Sequence, residues 1–178
     1  MSAMVDPAHE AAATLAGARL ADHYRRVHEA MRDLPICNPA LETEAIGFRP
    51  YRGHAVGIIL TPWFMNLMIC AADAEELPPK APGETAYWPL TAGRVGFVVG
   101  RLEGFGRVDS CSLFSPMDDF ADHAAARAVA LAALEQLFDP ALADAPVAAA
   151  QKAALVDRRS LILGAKRDET HVATSDGP

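Results

Sequence analysis

The sequence predicts an α+β fold. It reads as a single domain built mainly on an antiparallel sheet of about five strands, packed by an N-terminal helix and a second helix near residues 119–138. Three observations carry this. The chain has 178 residues, within the roughly 100–200 expected of one domain. Apolar side chains recur every three or four positions near the start and again after residue 118, whereas the middle holds short apolar runs broken by glycine and proline. Few gaps between those runs are long enough for a crossover helix, which favours antiparallel pairing.

The first helix is read over Pro7 to Leu34, with Leu15, Leu20, Tyr24, Val27 and Met31 on its apolar face. Asp6 offers a capping oxygen, Pro7 a ring with a preset dihedral, and Pro35 a stop. Strands follow at Leu41–Phe48, Gly53–Leu60, Met65–Ala71, Val95–Leu102 and Val108–Leu113, and Gly104-Phe105-Gly106 makes a tight connection between the last two. Pro78, Pro79 and Pro82 mark Asp73 to Gly83 as a loop.

Ala55 to Ala72 contains no charged side chain and approaches the roughly 18 residues that span a bilayer. Pro62 and Asn66, the weak helix former Gly57 and the β-branched Val56, Ile58 and Ile59 argue instead for two strands joined at Thr61-Pro62-Trp63. No membrane span is expected. The second helix is expected to start at Asp118 or Asp119 and run to about Phe138, burying Phe120, Ala124, Ala128, Leu131, Leu134 and Phe138 until Asp139-Pro140 ends it. A short helix over Ala148 to Val156 and an edge strand over Ser160 to Leu163 complete a domain of residues 1–164, and residues 165–178 read as a disordered tail.

Sixteen Lys and Arg against 23 Asp and Glu give a net charge of −7. That balance argues against nucleic acid or an anionic membrane as partner, since both require a concentrated cationic face. The three cysteines, Cys37, Cys70 and Cys111, cannot all pair with one another, and none stand at Cys-x-x-Cys spacing. With no secretory signal legible at the start, a reducing cytoplasm fits.

Catalytic constellations are sparse. The glycines of Gly100 to Gly106 fall in a hairpin, not at the strand-to-helix turn that cradles phosphate. His23 and His28 project about 140° apart on a helix and cannot share a metal. Cys111, between Ser110 and Ser112, reads first as a buried strand thiol; nucleophilic or redox work would need His54 or His123 brought near it. Thr61-Pro62-Trp63-Phe64-Met65 concentrates large apolar groups at a bend, either as core or as an adaptable contact surface that Phe114 and Met117 could extend. No catalytic residue, metal ligand or cofactor site is assigned.

Four stretches, Thr61-Pro62-Trp63-Phe64-Met65, Val98-Val99-Gly100, Ser110-Cys111-Ser112-Leu113-Phe114-Ser115-Pro116-Met117, and Arg158-Arg159 with Leu163-Gly164, resemble in order the HybE/HupJ-type family of nickel-iron hydrogenase assembly chaperones. The resemblance implies a non-enzymatic cytoplasmic chaperone. Its partner would be the hydrogenase small-subunit precursor, or that subunit's twin-arginine signal, held until cofactor assembly is complete, with other maturation proteins as further candidates. Some relatives carry a rubredoxin module, whose paired Cys-x-x-Cys knuckles are missing from this sequence.

A twin-arginine signal is basic and then moderately apolar, so its receptor should combine an apolar floor with an acidic rim. The expected floor and its surroundings are Pro62, Trp63, Phe64, Met65, Cys111, Phe114, Pro116 and Met117, and the expected rim is Asp73, Glu75, Glu76, Asp118 and Asp119. The alternative is a redox or metal-handling accessory of the same maturation route that uses Cys111.

Overall fold

The computed structural model describes residues 6–72, 76–139 and 141. Helix α1 (Pro7–Met31) is followed by strands β1 (Glu44–Tyr51), β2 (His54–Leu60), β3 (Met65–Cys70), β4 (Thr85–Leu90), β5 (Gly93–Leu102) and β6 (Gly106–Phe114), and then by helix α2 (His123–Leu137). The strands form one sheet in the order β1-β2-β3-β6-β5-β4, with every neighbouring pair antiparallel. The expected helix at 148–156, the edge strand at 160–163 and the tail lie outside the described residues.

Six strands stand where about five were expected, because β4 has no clean alternation and contains Pro89. Proline cannot donate to a ladder and is tolerated at a sheet edge, which is where β4 lies. The uncharged stretch is explained by β2 and β3, which are central and buried on both faces. Ala55, Ile59, Met68 and Cys70 pack beneath α1, while Val56, Ile58, Leu60, Met65, Leu67 and Ile69 face the α2 side. Among the described residues no helix is long and apolar enough to cross a membrane.

Asp6 caps α1 as expected, its carboxylate accepting from the Ala8 N–H at 2.9 Å. The buried face is Ala13, Ala16, Gly17, Leu20 and Ala21, and Leu15 points outward at 62% exposure, contrary to the expected stripe. Small residues were selected because Phe48 wedges between helix and sheet. A Cβ on Gly17 or Gly57 would lie 2.5 or 2.3 Å from its ring.

The second helix begins later than expected. Asp122 is its cap, accepting from the Ala125 N–H at 2.7 Å, and Asp118 and Asp119 remain in the preceding loop. Its buried residues are Ala126, Val129, Ala130 and Leu134, so Ala124, Ala128 and Leu131 of the expected face turn outward. With alanine on nearly every side, spacing alone does not decide which stripe meets the sheet.

The sheet curls around α2. Tyr51 on β1 donates its hydroxyl to the Pro89 carbonyl on β4, although these are opposite edges of the sheet, and the Tyr51 ring meets Trp88 at 6.3 Å. Within this concave side Arg107 forms a two-pronged ion pair with fully buried Asp109, at 2.7 and 2.6 Å. Trp88 Nε1 donates to the same carboxylate at 2.8 Å, and Arg107 also donates to the Pro78 carbonyl, tying the proline-rich loop to the sheet.

Candidate functional site

The hydroxyl of Thr61 organises the turn between β2 and β3. It accepts from the Trp63 and Phe64 N–H groups at 3.3 and 2.9 Å and donates to the Phe64 carbonyl at 3.0 Å; the Thr61 N–H donates to that carbonyl at 2.8 Å. Valine would fill the same space and keep only the backbone bond, losing the three made by the hydroxyl. Pro62, whose ring presets its backbone, completes the bend.

β6 brings the second motif alongside, with Phe114 opposite Met65. The loop from Ser115 to Asp122 then crosses the end of the sheet, with a cis bond before Pro116. Asn38 joins the two motifs. Its N–H donates to the Pro62 carbonyl at 2.9 Å, and its side-chain amide donates to the Met117 and Phe120 carbonyls at 3.0 and 2.9 Å. Sequence reasoning missed Asn38; the one available signal was an Asn-Pro pair in the loop after α1, whose amide oxygen accepts from the Ala40 N–H at 3.0 Å.

The expected site residues separate by depth. Met65 and Met117 have no exposed surface and belong to the α2-side core, Pro62 is buried, and Trp63 is 9% exposed, stacked near His28 at 5.8 Å. These four support the surface and do not form it, because Trp63 turns toward α1 and both methionines into the α2-side core. Phe64 is half-buried, with its ring edge-on to Tyr24 at 5.1 Å, and Phe114 is half-buried against Phe120 at 5.2 Å. Pro116 is exposed. Phe64, Phe114 and Pro116, with Cys111, are therefore the members with surface to offer.

The expected acidic rim also divides. Asp118 and Asp119 are exposed beside Pro116. Glu76 lies against Gly106 at the β5–β6 hairpin, at the other end of β3 and about 20 Å away by strand rise, so it cannot border this surface. Asp73 and Glu75 lie outside the described residues.

Cys111 is half-buried opposite Leu67 and packs on the α2-side core. His123 receives the Glu42 N–H on Nδ1 at 3.2 Å and meets Glu44 through Nε2 at 2.9 Å. That network assigns its proton to Nε2 and leaves neither ring nitrogen to serve as base for a thiol. The ring of His54 packs edge-on against Trp88. Among the described residues, no three His, Cys, Asp or Glu side chains are close enough to hold a metal ion.

Burial raises the Glu44 carboxyl, but hydrogen bonds from His123 and Arg127, with their charges, outweigh it and leave the group below its ordinary value. Burial alone raises the Tyr24 phenol. It also pushes the Cys70 thiol up to about 12 against the opposing charge of Arg19, so this cysteine stays protonated and inert.

Residues 15–164 match the family described as NiFe-hydrogenase assembly chaperone HybE. The match takes in both motif turns and the sheet that joins them. The chain belongs to the HybE family. It is 44% identical over 160 residues to the hydrogenase expression/formation protein HupJ of Bradyrhizobium diazoefficiens, covering 89% of this chain and 93% of that one. It is 36% identical over 175 residues to the protein HoxT of Cupriavidus necator, covering 86% of this chain and 94% of that one. The solution structure of HybE from Escherichia coli shares the fold, with a TM-score of 0.57 at 22% identity over 69% of this chain and 76% of that one. In this member of the HybE family, then, the two turns form one end of the α+β scaffold.

Proposed function

We propose that this HybE-family chaperone works in the cytoplasm by binding an immature hydrogenase small subunit, including its twin-arginine signal, and that it holds the precursor by contact without catalysing a reaction. One observation carries the reading: Asn38 fastens two motif turns into a single end of the sheet, where Phe64 on the α1 side and Phe114 on the α2 side keep apolar surface and the exposed Pro116 adjoins Asp118 and Asp119. A segment that is basic and then apolar matches an apolar patch with an acidic border, and opposite charges steer it there.

The test is capture of purified small-subunit precursor, with and without its signal. Phe114→Ala should weaken capture several-fold while the fold persists. Asp118→Asn with Asp119→Asn should slow association at low salt and matter little at high salt, since exposed charges are screened. A chain that leaves the precursor in solution at micromolar concentrations would refute the reading.

A further inference from the structure

We propose that the groove between β1 and the last turns of α2 receives residues 157–163 of this same chain, a segment that lies beyond the described residues. The proposal stands apart from the functional reading and needs no partner to be tested. The groove holds about 710 Å³. It opens at a sheet edge, because β1 has a ladder partner only in β2; the edges β1 and β4 meet further along, at Tyr51 and Pro89.

Arg49 of β1 forms one wall, with its guanidinium over the Phe138 ring at 4.0 Å. Its Nε is sealed from solvent with no hydrogen-bond partner, and no acid among the described residues pairs with it. Burial lowers the Arg49 pKa from its ordinary value, as expected of a cation held without a counter-charge. The other wall is α2. It presents Leu131, 37% exposed, beside Leu134 and Phe138, and it adds the acids Glu135 and Asp139.

Chain continuity and charge select the occupant. Phe138 caps α2 and Asp139 follows it, so the chain leaves from the groove itself, and the Asp139 carboxylate holds the exit by accepting from the Ala141 N–H at 2.8 Å. The family match continues past that exit to residue 164. In the sequence after Asp139, one short run joins an acid, Asp157, to the paired cations Arg158 and Arg159 and then to Leu161, Ile162 and Leu163. The groove offers the converse, one cation and two acids beside an apolar wall.

Asp157 thus complements Arg49, the two arginines complement Glu135 and Asp139, and the apolar triplet complements Leu131, Leu134 and Phe138. Exposed ion pairs contribute little by themselves, so they set the register while apolar contact holds the segment. Residues 140–156 form the return loop, and loop closure grows costlier only slowly with length. Tethering keeps the segment at a roughly millimolar effective concentration, ahead of any second copy or foreign chain at micromolar levels. The Arg158-Arg159 and Leu163-Gly164 stretch then has a role, to close the β1 side of the fold.

Hydrogen exchange on the full chain tests this, with melting curves to check that each variant folds. In the unaltered chain, residues 161–163 should exchange at least about tenfold more slowly than in a free peptide of residues 155–165, and should keep that protection over about a hundredfold dilution. Leu131→Glu, at an exposed groove position, and Arg158→Glu with Arg159→Glu, on the segment, should each return residues 161–163 to the free-peptide rate. Adding Glu135→Arg to the arginine variant should restore part of the protection, because the charges are then exchanged and not lost.

Free-peptide exchange of residues 161–163 in the unaltered chain overturns the proposal, and so does protection that survives Leu131→Glu. Failure of Glu135→Arg to restore any protection places the arginines elsewhere and overturns it too. Protection that fades on dilution gives the groove to a second copy. Protection of residues 47–49 and 131–139 that arises only when small-subunit precursor is added gives it to the partner, and either result is against the proposal.

Discussion

Replacing Asn38 by alanine isolates the link between the two motif turns. The substitution keeps the N–H donated to Pro62 but removes two amide bonds to the Met117 and Phe120 carbonyls and the oxygen that accepts from Ala40. At a net worth of about 1 kcal/mol for each bond, the loss should be about 2–3 kcal/mol. With a urea slope near 2 kcal/mol/M, that lowers the unfolding midpoint by roughly 1 M. Hydrogen exchange should accelerate first in the loop from Ser115 to Phe120. Asn38→Asp should do at least as much harm, since a carboxylate offers no donor to two carbonyls. Urea melts with residue-resolved exchange would refute the reasoning if Asn38→Ala cost under about 0.5 kcal/mol, less than one ordinary hydrogen bond, and left the loop's exchange unchanged.

Gly57→Ala would place a Cβ 2.3 Å from Phe48 Cδ2 and 2.8 Å from its Cα; since backbone cannot yield as a side chain does, thermal melts should show a loss of about 1–3 kcal/mol. Asp109→Asn leaves Arg107 buried without its counter-charge, and denaturant melts should register about 3–5 kcal/mol. Glu44 sits below its ordinary carboxyl value, so its stabilising contribution is complete above the unfolded value of 4.5 and is lost as pH falls through the lowered folded value. The stability difference between the native chain and Glu44→Gln, followed by melts from pH 7 downward, should therefore shrink on the acid side of that value.

Much of the scaffold was legible because its elements carry local signals. Asp6-Pro7 marks the start of α1, and the bend at Thr61-Pro62 separates two apolar runs that would otherwise read as one span. β4 escaped because edge position, a tertiary property, is what excuses Pro89. The helix faces were misread where alanine blurs the stripe: the inward choice at Ala126 and Ala130 depends on the curved sheet they meet. The motif turns were found, but their depth was not. Met65 and Met117 look like adaptable surface in a string of residues, whereas the register of β3 and the loop anchored by Asn38 turn them into core. The Arg107–Asp109–Trp88 network was invisible for a related reason, since its third member is 21 positions from the carboxylate in β4.

The most direct measurement is a calorimetric titration of the unaltered chain with purified small-subunit precursor at several temperatures. Contact through apolar surface predicts a stoichiometric complex with a negative heat-capacity change and a precursor recovered chemically intact. A trace of the chain converting excess precursor to a covalently altered product, with no stable complex formed, would contradict the account.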